Sequence, residues 1–152
     1  MARTALEARG QILDELAAAI DQVALAVACL GEAYELLAVD AADRLEAELF
    51  RPVQKAYGRG KRTHTQFAER FGLPKREFEL PSPGLSSQGV KVLVQRAVVA
   101  STDADRRIAE LQDSMLPIES GDAELREGLS DVRELLSEAP RSAGQFLRTL
   151  GR

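Results

Sequence analysis

The sequence predicts an all-α protein, folded as an antiparallel four-helix bundle of long amphipathic helices. Three observations carry that expectation. Apolar residues recur at alternating steps of three and four through most of the 152 residues, the spacing of helices that each bury one stripe. Hydrophobic residues make up 45% of the chain but aromatics only 5%, so Ala and Leu supply the apolar surface. Ala, Leu, Glu and Arg lose little side-chain freedom in a helix, which favours that state. Finally, three of the six prolines gather between the second and third stripes, in "LPKREFELPSPGLSSQ", where they mark a long connection between two helical hairpins.

The first stripe is Leu13, Leu16, Ile20, Val23, Val27, Leu30, Tyr34 and Leu37. Its heptad period is that of a coiled-coil seam and predicts one helix over about 4–38, with Gly31 a weak point in its last third. Asp40 is the expected N-cap of the second helix, about 41–71, because its carboxylate can accept a free backbone N–H. The second stripe runs Leu45, Leu49, Val53, Tyr57, Gly60, His64, Phe67 and Phe71. Two successive steps of four break its heptad beside Pro52, so a kink is expected there. Gly72 and Pro74 are stop signals. The connection 72–86 then carries Phe78, Leu80 and Leu85 as anchors and is long enough to return the chain to the other end of a bundle.

Ser86 or Ser87 is the expected cap of the third helix, about 87–116, with the stripe Val90, Val94, Ala97, Ser101, Ala104, Ile108, Leu111 and Met115. "LPIESGD" reads as a short turn and Asp122 as the cap of the fourth helix, about 122–150. Its stripe is Leu125, Leu129, Val132, Leu136, Ala139, Ala143, Phe146 and Leu150, with Pro140 marking a kink or a junction of two helices. Residues 1–152 thus read as a single helical domain.

Composition narrows the function. The net charge is −4 with 29% charged residues, an ordinary soluble surface rather than one built wholly around nucleic acid. One cysteine cannot form an internal disulfide, which fits a reducing cytoplasm. No apolar run is expected to reach the ~18 residues of a membrane span, and the first residues lack the apolar core of a signal peptide. His64 is the sole histidine. At 100° per residue it falls on the apolar stripe, so it reads as a core histidine, with Tyr57 and the small residue Ser101 as co-lining candidates for a ligand pocket. Arg51, Lys55, Arg59 and Arg62 fall on the other side of the same helix and form a candidate polyanion face.

Several chemistries find no support. Histidine phosphotransfer domains resemble this plan in architecture only, because His64 is followed by Thr65, Gln66, Phe67 and Ala68 rather than by a lysine three residues on and then a glycine. Di-iron bundles need inward acids and Glu-x-x-His pairs, which the four stripes lack. No catalytic residue, metal ligand or cofactor is therefore assigned. "TQFAERFGLPKREFE" has the spacing of a helix-turn-helix start, but Pro74, Pro81 and Pro83 stand where its second helix should run.

The first helix is apolar on more than one side. Ala18, Leu25 and Cys29 lie opposite its stripe, as Val92 and Val99 do on the third helix. A helix apolar all round should be buried all round, so these five residues are the expected face of a homodimer. The functional expectation is a non-enzymatic protein–protein interaction or assembly module, cytoplasmic and self-associating, with another protein as partner and no membrane. The alternatives are binding of nucleic acid or another polyanion through the basic face, and a small-ligand pocket near His64.

Overall fold

The computed structural model describes residues 4–151, and every regular element among them is helical. The elements are α1 (Ala5–Leu36), α2 (Val39–Leu45), a π-helical turn (Glu46–Phe50), α3 (Arg51–Arg70), α4 (Val90–Asp113), α5 (Leu116–Glu119), α6 (Ala123–Leu136) and α7 (Ala139–Leu150). Residues 1–3, among the first residues read for a signal peptide, lie outside the described residues.

Thr4 caps α1, its hydroxyl accepting the Glu7 N–H at 3.1 Å. The helix continues through Gly31, which packs against the Phe50 ring instead of breaking. All of Leu13, Leu16, Ile20, Val23, Val27 and Leu30 are buried. So is a second heptad stripe one residue behind it, Ile12, Ala19, Ala26 and Ala33, together with Cys29. Two adjacent seams explain why α1 is apolar over so much of its circumference: it packs against α4 more extensively than against any other element, and against α3 as well. By length and composition alone α1 contains a stretch able to cross a membrane, contrary to the expectation from the sequence. Its alanines keep charge low along that stretch, and 61% of it is buried inside the protein, as in a core helix.

The cap of α2 is Ala38 rather than Asp40. The helix starts at Val39, so Asp40 sits in its first turn, where its charge still suits the helix dipole. The heptad slip appears as the π turn at Glu46–Phe50 rather than as a kink at Pro52 itself. A π turn holds one extra residue, which absorbs the irregular spacing, and Pro52 follows in the first turn of α3. At the other end α3 closes with a Schellman motif: Leu73 N–H donates to the Ala68 carbonyl at 2.8 Å and Gly72 N–H to Glu69 at 3.3 Å. Gly72 takes the left-handed φ of +65° that this ending requires.

Neither Ser86 nor Ser87 caps α4. Ser86–Gln88 form a 3₁₀ turn and Gly89, at φ +87°, is the cap position. A left-handed residue there reverses the chain more sharply than a serine in the extended region would. The expected turn after α4 contains the single-turn α5, entered through Met115 at φ 69°. Asp122 does cap α6, accepting the Leu125 N–H at 2.8 Å. At Pro140 there are two helices end to end, with the proline in the first turn of α7, where its missing N–H costs nothing.

Contacts between helices run in opposite orders along their partners. On α1 and α3, Gly31 meets Phe50, Ile20 meets Gly60, and Arg9 lies over Phe71. On α3 and α6, Arg59 pairs with Asp131 and Arg70 with Asp122. On α1 and α4, Cys29 neighbours Arg96, whereas Asp14 and Ala18 share a cleft with Arg107 and Glu110. The connection travels along α1. It leaves Phe71 beside Arg9, ties Arg76 to Asp21 at 3.0 Å, and passes its Pro83 carbonyl to Arg96, the neighbour of Cys29. Phe67 and Phe146 are the largest fully buried side chains, and α7, which carries Phe146, packs on α4 and the π turn.

Candidate functional site: the basic groove between α3 and α6

The predicted basic row does line one surface feature. Arg51, Lys55, Arg59 and Arg62 all border a groove of about 630 Å³ between α3 and α6, completed by Gln54, Gly58, Asp131, Glu134 and Leu135. Spacing of three and four along α3 puts the cations in one row, and Gly58 leaves the groove open between them. The Arg62 guanidinium folds back over Gly58, 3.5 Å from where a Cβ would stand.

The four cations are not equivalent. Arg59 donates from Nε to Asp131 Oδ2 at 2.9 Å and from Nη1 to Thr63 Oγ1 at 3.3 Å, so it is fixed and partly neutralised. Arg51 meets Glu46 at 3.5 Å, but both side chains are well exposed and solvent weakens the pair. Lys55 and Arg62 have no acidic partner within 4 Å among the described residues. They stand seven residues apart, two helical turns, or roughly 10 Å at 1.5 Å per residue. The remaining cations of this stretch are occupied. Lys61 sits over the Tyr57 ring at 4.1 Å, and Arg70 grips Asp122.

Asp131, Glu134, Leu135 and Gln54 were missing from the sequence reading. A signal existed: Asp131 and Glu134 flank the apolar stripe of the fourth helix, where ion pairs to an adjacent helix form.

His64 is 3% exposed, as its place on the apolar stripe predicts. Its ring meets Phe78 edge-on at 5.2 Å, and its Nδ1 has no hydrogen-bond partner among the described residues. Burial pushes its pKa below the ordinary value of 6.5; the Leu13 carbonyl and Asp14 oppose this and Arg76 adds to it. Tyr57 is half-buried two turns earlier on α3, its phenol pushed up by burial and then by Asp21 and Glu79. Ser101 is buried on α4, which packs on α1, α6 and α7. The residues found against His64 are Phe78 and the Leu13 backbone, and neither Tyr57 nor Ser101 is among them.

The five expected interface residues separate. Cys29 is 0% exposed within the single chain and cannot lie on an outer face; α4 covers it, and burial raises its thiol pKa against the opposing effect of Arg96. Leu25 is half-buried against the core, and Ala18 lines a cleft with charged neighbours. Val92 and Val99 remain exposed, at 40% and 69%.

No family model matches the chain, and no curated protein or solved structure shows significant similarity to it.

Proposed function

We propose that the protein is a non-enzymatic interaction module, an antiparallel four-helix bundle whose α3/α6 groove docks an acidic segment of a partner protein. The bundle reading takes α1, α2 with α3, α4, and α6 with α7 as its four lengths, joined as two hairpins by the long connection. The opposed order of the contacts on α1/α3, α3/α6 and α1/α4 supports it.

The observation that carries the docking surface is the pair Lys55 and Arg62, two unpaired cations about two turns apart in the groove, with Leu135 as its apolar contact. An acidic helix with carboxylates at matching spacing satisfies both and can bring an apolar side chain to Leu135. A nucleic-acid backbone fits less well, because its phosphates continue along both sides of the strand and meet Asp131 and Glu134 on the opposite wall, whereas a helix can present carboxylates on one side only. The lone, sealed Cys29 is compatible with a cytoplasmic setting, and Val92 and Val99 with self-association through α4.

Fluorescence anisotropy with a labelled amphipathic Glu/Leu peptide tests the reading, with duplex DNA as the competing probe. Peptide binding should weaken at least tenfold in Lys55→Glu/Arg62→Glu and should survive moderate salt. Peptide affinity indifferent to that double change would end the proposal. Tighter DNA binding with a steep salt dependence would replace it with polyanion binding.

A further inference from the structure

We propose that residues 74–84 form an acid-released strap across the groove between α1 and α3, and that His64 is the group whose protonation lifts it. The strap is pinned at few points. Between Pro74 and Ser87 only Phe78 and Pro83 are even half-buried. Among the described residues, no backbone–backbone hydrogen bond ties 74–84 to the helices beneath. Side chains hold it instead: Phe78 edge-on to His64 at 5.2 Å, Arg76 to Asp21 at 3.0 Å, and the Pro83 carbonyl accepting from Arg96 Nη1 at 2.6 Å. Arg76 also lies over the Phe78 ring, 4.7 Å from its centroid, so the central pin is a stack of guanidinium, phenyl and imidazole.

That stack needs a neutral imidazole. A charged imidazolium has two N–H donors, and each must reach an acceptor when buried. Nδ1 is sealed without a hydrogen-bond partner among the described residues, so a proton placed there meets no acceptor. The charged groups bearing on the ring are Asp14 from α1 and Arg76 from the strap, with Asp21 of α1 holding Arg76. Asp14 attracts a charged His64. Arg76 repels it, and Arg76 belongs to the strap, so the repulsion acts to raise the strap. Burial outweighs Asp14, since the pKa is depressed. The sign follows: the closed strap is fully favoured above the ordinary histidine value of 6.5 and loses ground as pH falls below it towards the depressed value. Opening admits water to Nδ1.

The chain has no tryptophan, so Phe78→Trp places a single fluorescent reporter at the pin. Its emission should be blue-shifted at neutral pH and move to the red on acidification with a midpoint below 6.5, while far-UV circular dichroism stays constant. The red shift should vanish in Phe78→Trp/His64→Leu, which cannot protonate at 64. Emission unmoved by acid, a shift that persists with leucine at 64, or a shift that coincides with loss of helix each overturns the proposal. If the tryptophan variant does not fold, the unmodified chain gives the reading. Cleavage after Glu77 and Glu79 by a glutamate-specific protease, corrected against an unstructured peptide, should quicken severalfold from pH 7.5 to pH 5. An unchanged corrected rate overturns it equally.

Discussion

Thr63 on α3 and Gly128 on α6 are packed without room between them: the threonine Cγ2 lies 2.6 Å from where a Cβ on residue 128 would stand. The same threonine donates from Oγ1 to the Arg59 carbonyl at 2.8 Å, and Arg59 in turn holds Asp131. One glycine therefore sets the distance between the two walls of the groove. Gly128→Ala should destabilise the protein by about 1–3 kcal/mol, the usual cost of overpacking, even though alanine favours helix by up to ~1 kcal/mol. Thr63→Ala/Gly128→Ala should recover most of that loss. A urea-denaturation double-mutant cycle checks this, and additive effects would show that the two residues do not press on each other.

Asp122 joins two functions at the start of α6. Its carboxylate accepts the Leu125 N–H and takes both Arg70 Nε at 2.6 Å and Nη2 at 2.9 Å. Burial raises its pKa, but Arg70, the Leu125 N–H and Arg126 together bring it below the ordinary 3.8. Such a carboxylate contributes stability above its unfolded value and loses it as pH falls through the lower folded one. Asp122→Ala should cost about 1–2 kcal/mol at neutral pH, and Asp122→Asn, which retains a capping side chain, should cost less. The cost of Asp122→Ala should shrink in acid, which denaturation at a series of pH values will show. A penalty constant down to pH 3 would mean that the charge plays no part.

Val92 and Val99 lie seven residues apart on the outer face of α4. If a second copy covers them, light scattering at tens of micromolar should give a dimer mass, and Val92→Glu/Val99→Glu should give a monomer with the same helix content. A monomeric parent chain removes self-association from the functional reading. A change at Leu25 is a poorer probe, since Leu25 packs against the core and its loss would confound folding with assembly.

Helix content and buried stripes were legible because periodicity reports them directly. Every member of the fourth stripe from Leu125 to Phe146 is buried, and His64 lies where its register put it. Of the second seam of α1, Cys29 was expected on an outer face and Ala19 and Ala26 drew no reading, because small residues suit either a close helix contact or an outer face. Only the position of α4 decides between them. Cap positions failed where backbone conformation outweighed side-chain preference: Gly89 reverses the chain in a way no serine does, and Ala38 precedes a helix that starts before Asp40. The cations of the groove could be counted from α3 alone, but which of them are free depends on Asp131, seventy-odd residues later. The strap's pin on His64 was equally hidden, since Phe78 carries no periodic mark.

The pairing of α1 with α4 has a consequence for how the chain is made. During synthesis α1 emerges early with both of its seams bare, and the helix that seals Cys29 and Ala33 follows only after α3 and the whole strap have left the ribosome. A nascent chain of this order leaves α1 exposed until α4 has emerged. It should therefore be a natural client for a chaperone near the exit tunnel. Ribosomes stalled before Val90 should display a chain that aggregates when released, and ribosomes stalled beyond Asp113 one that has begun to hide its own first helix.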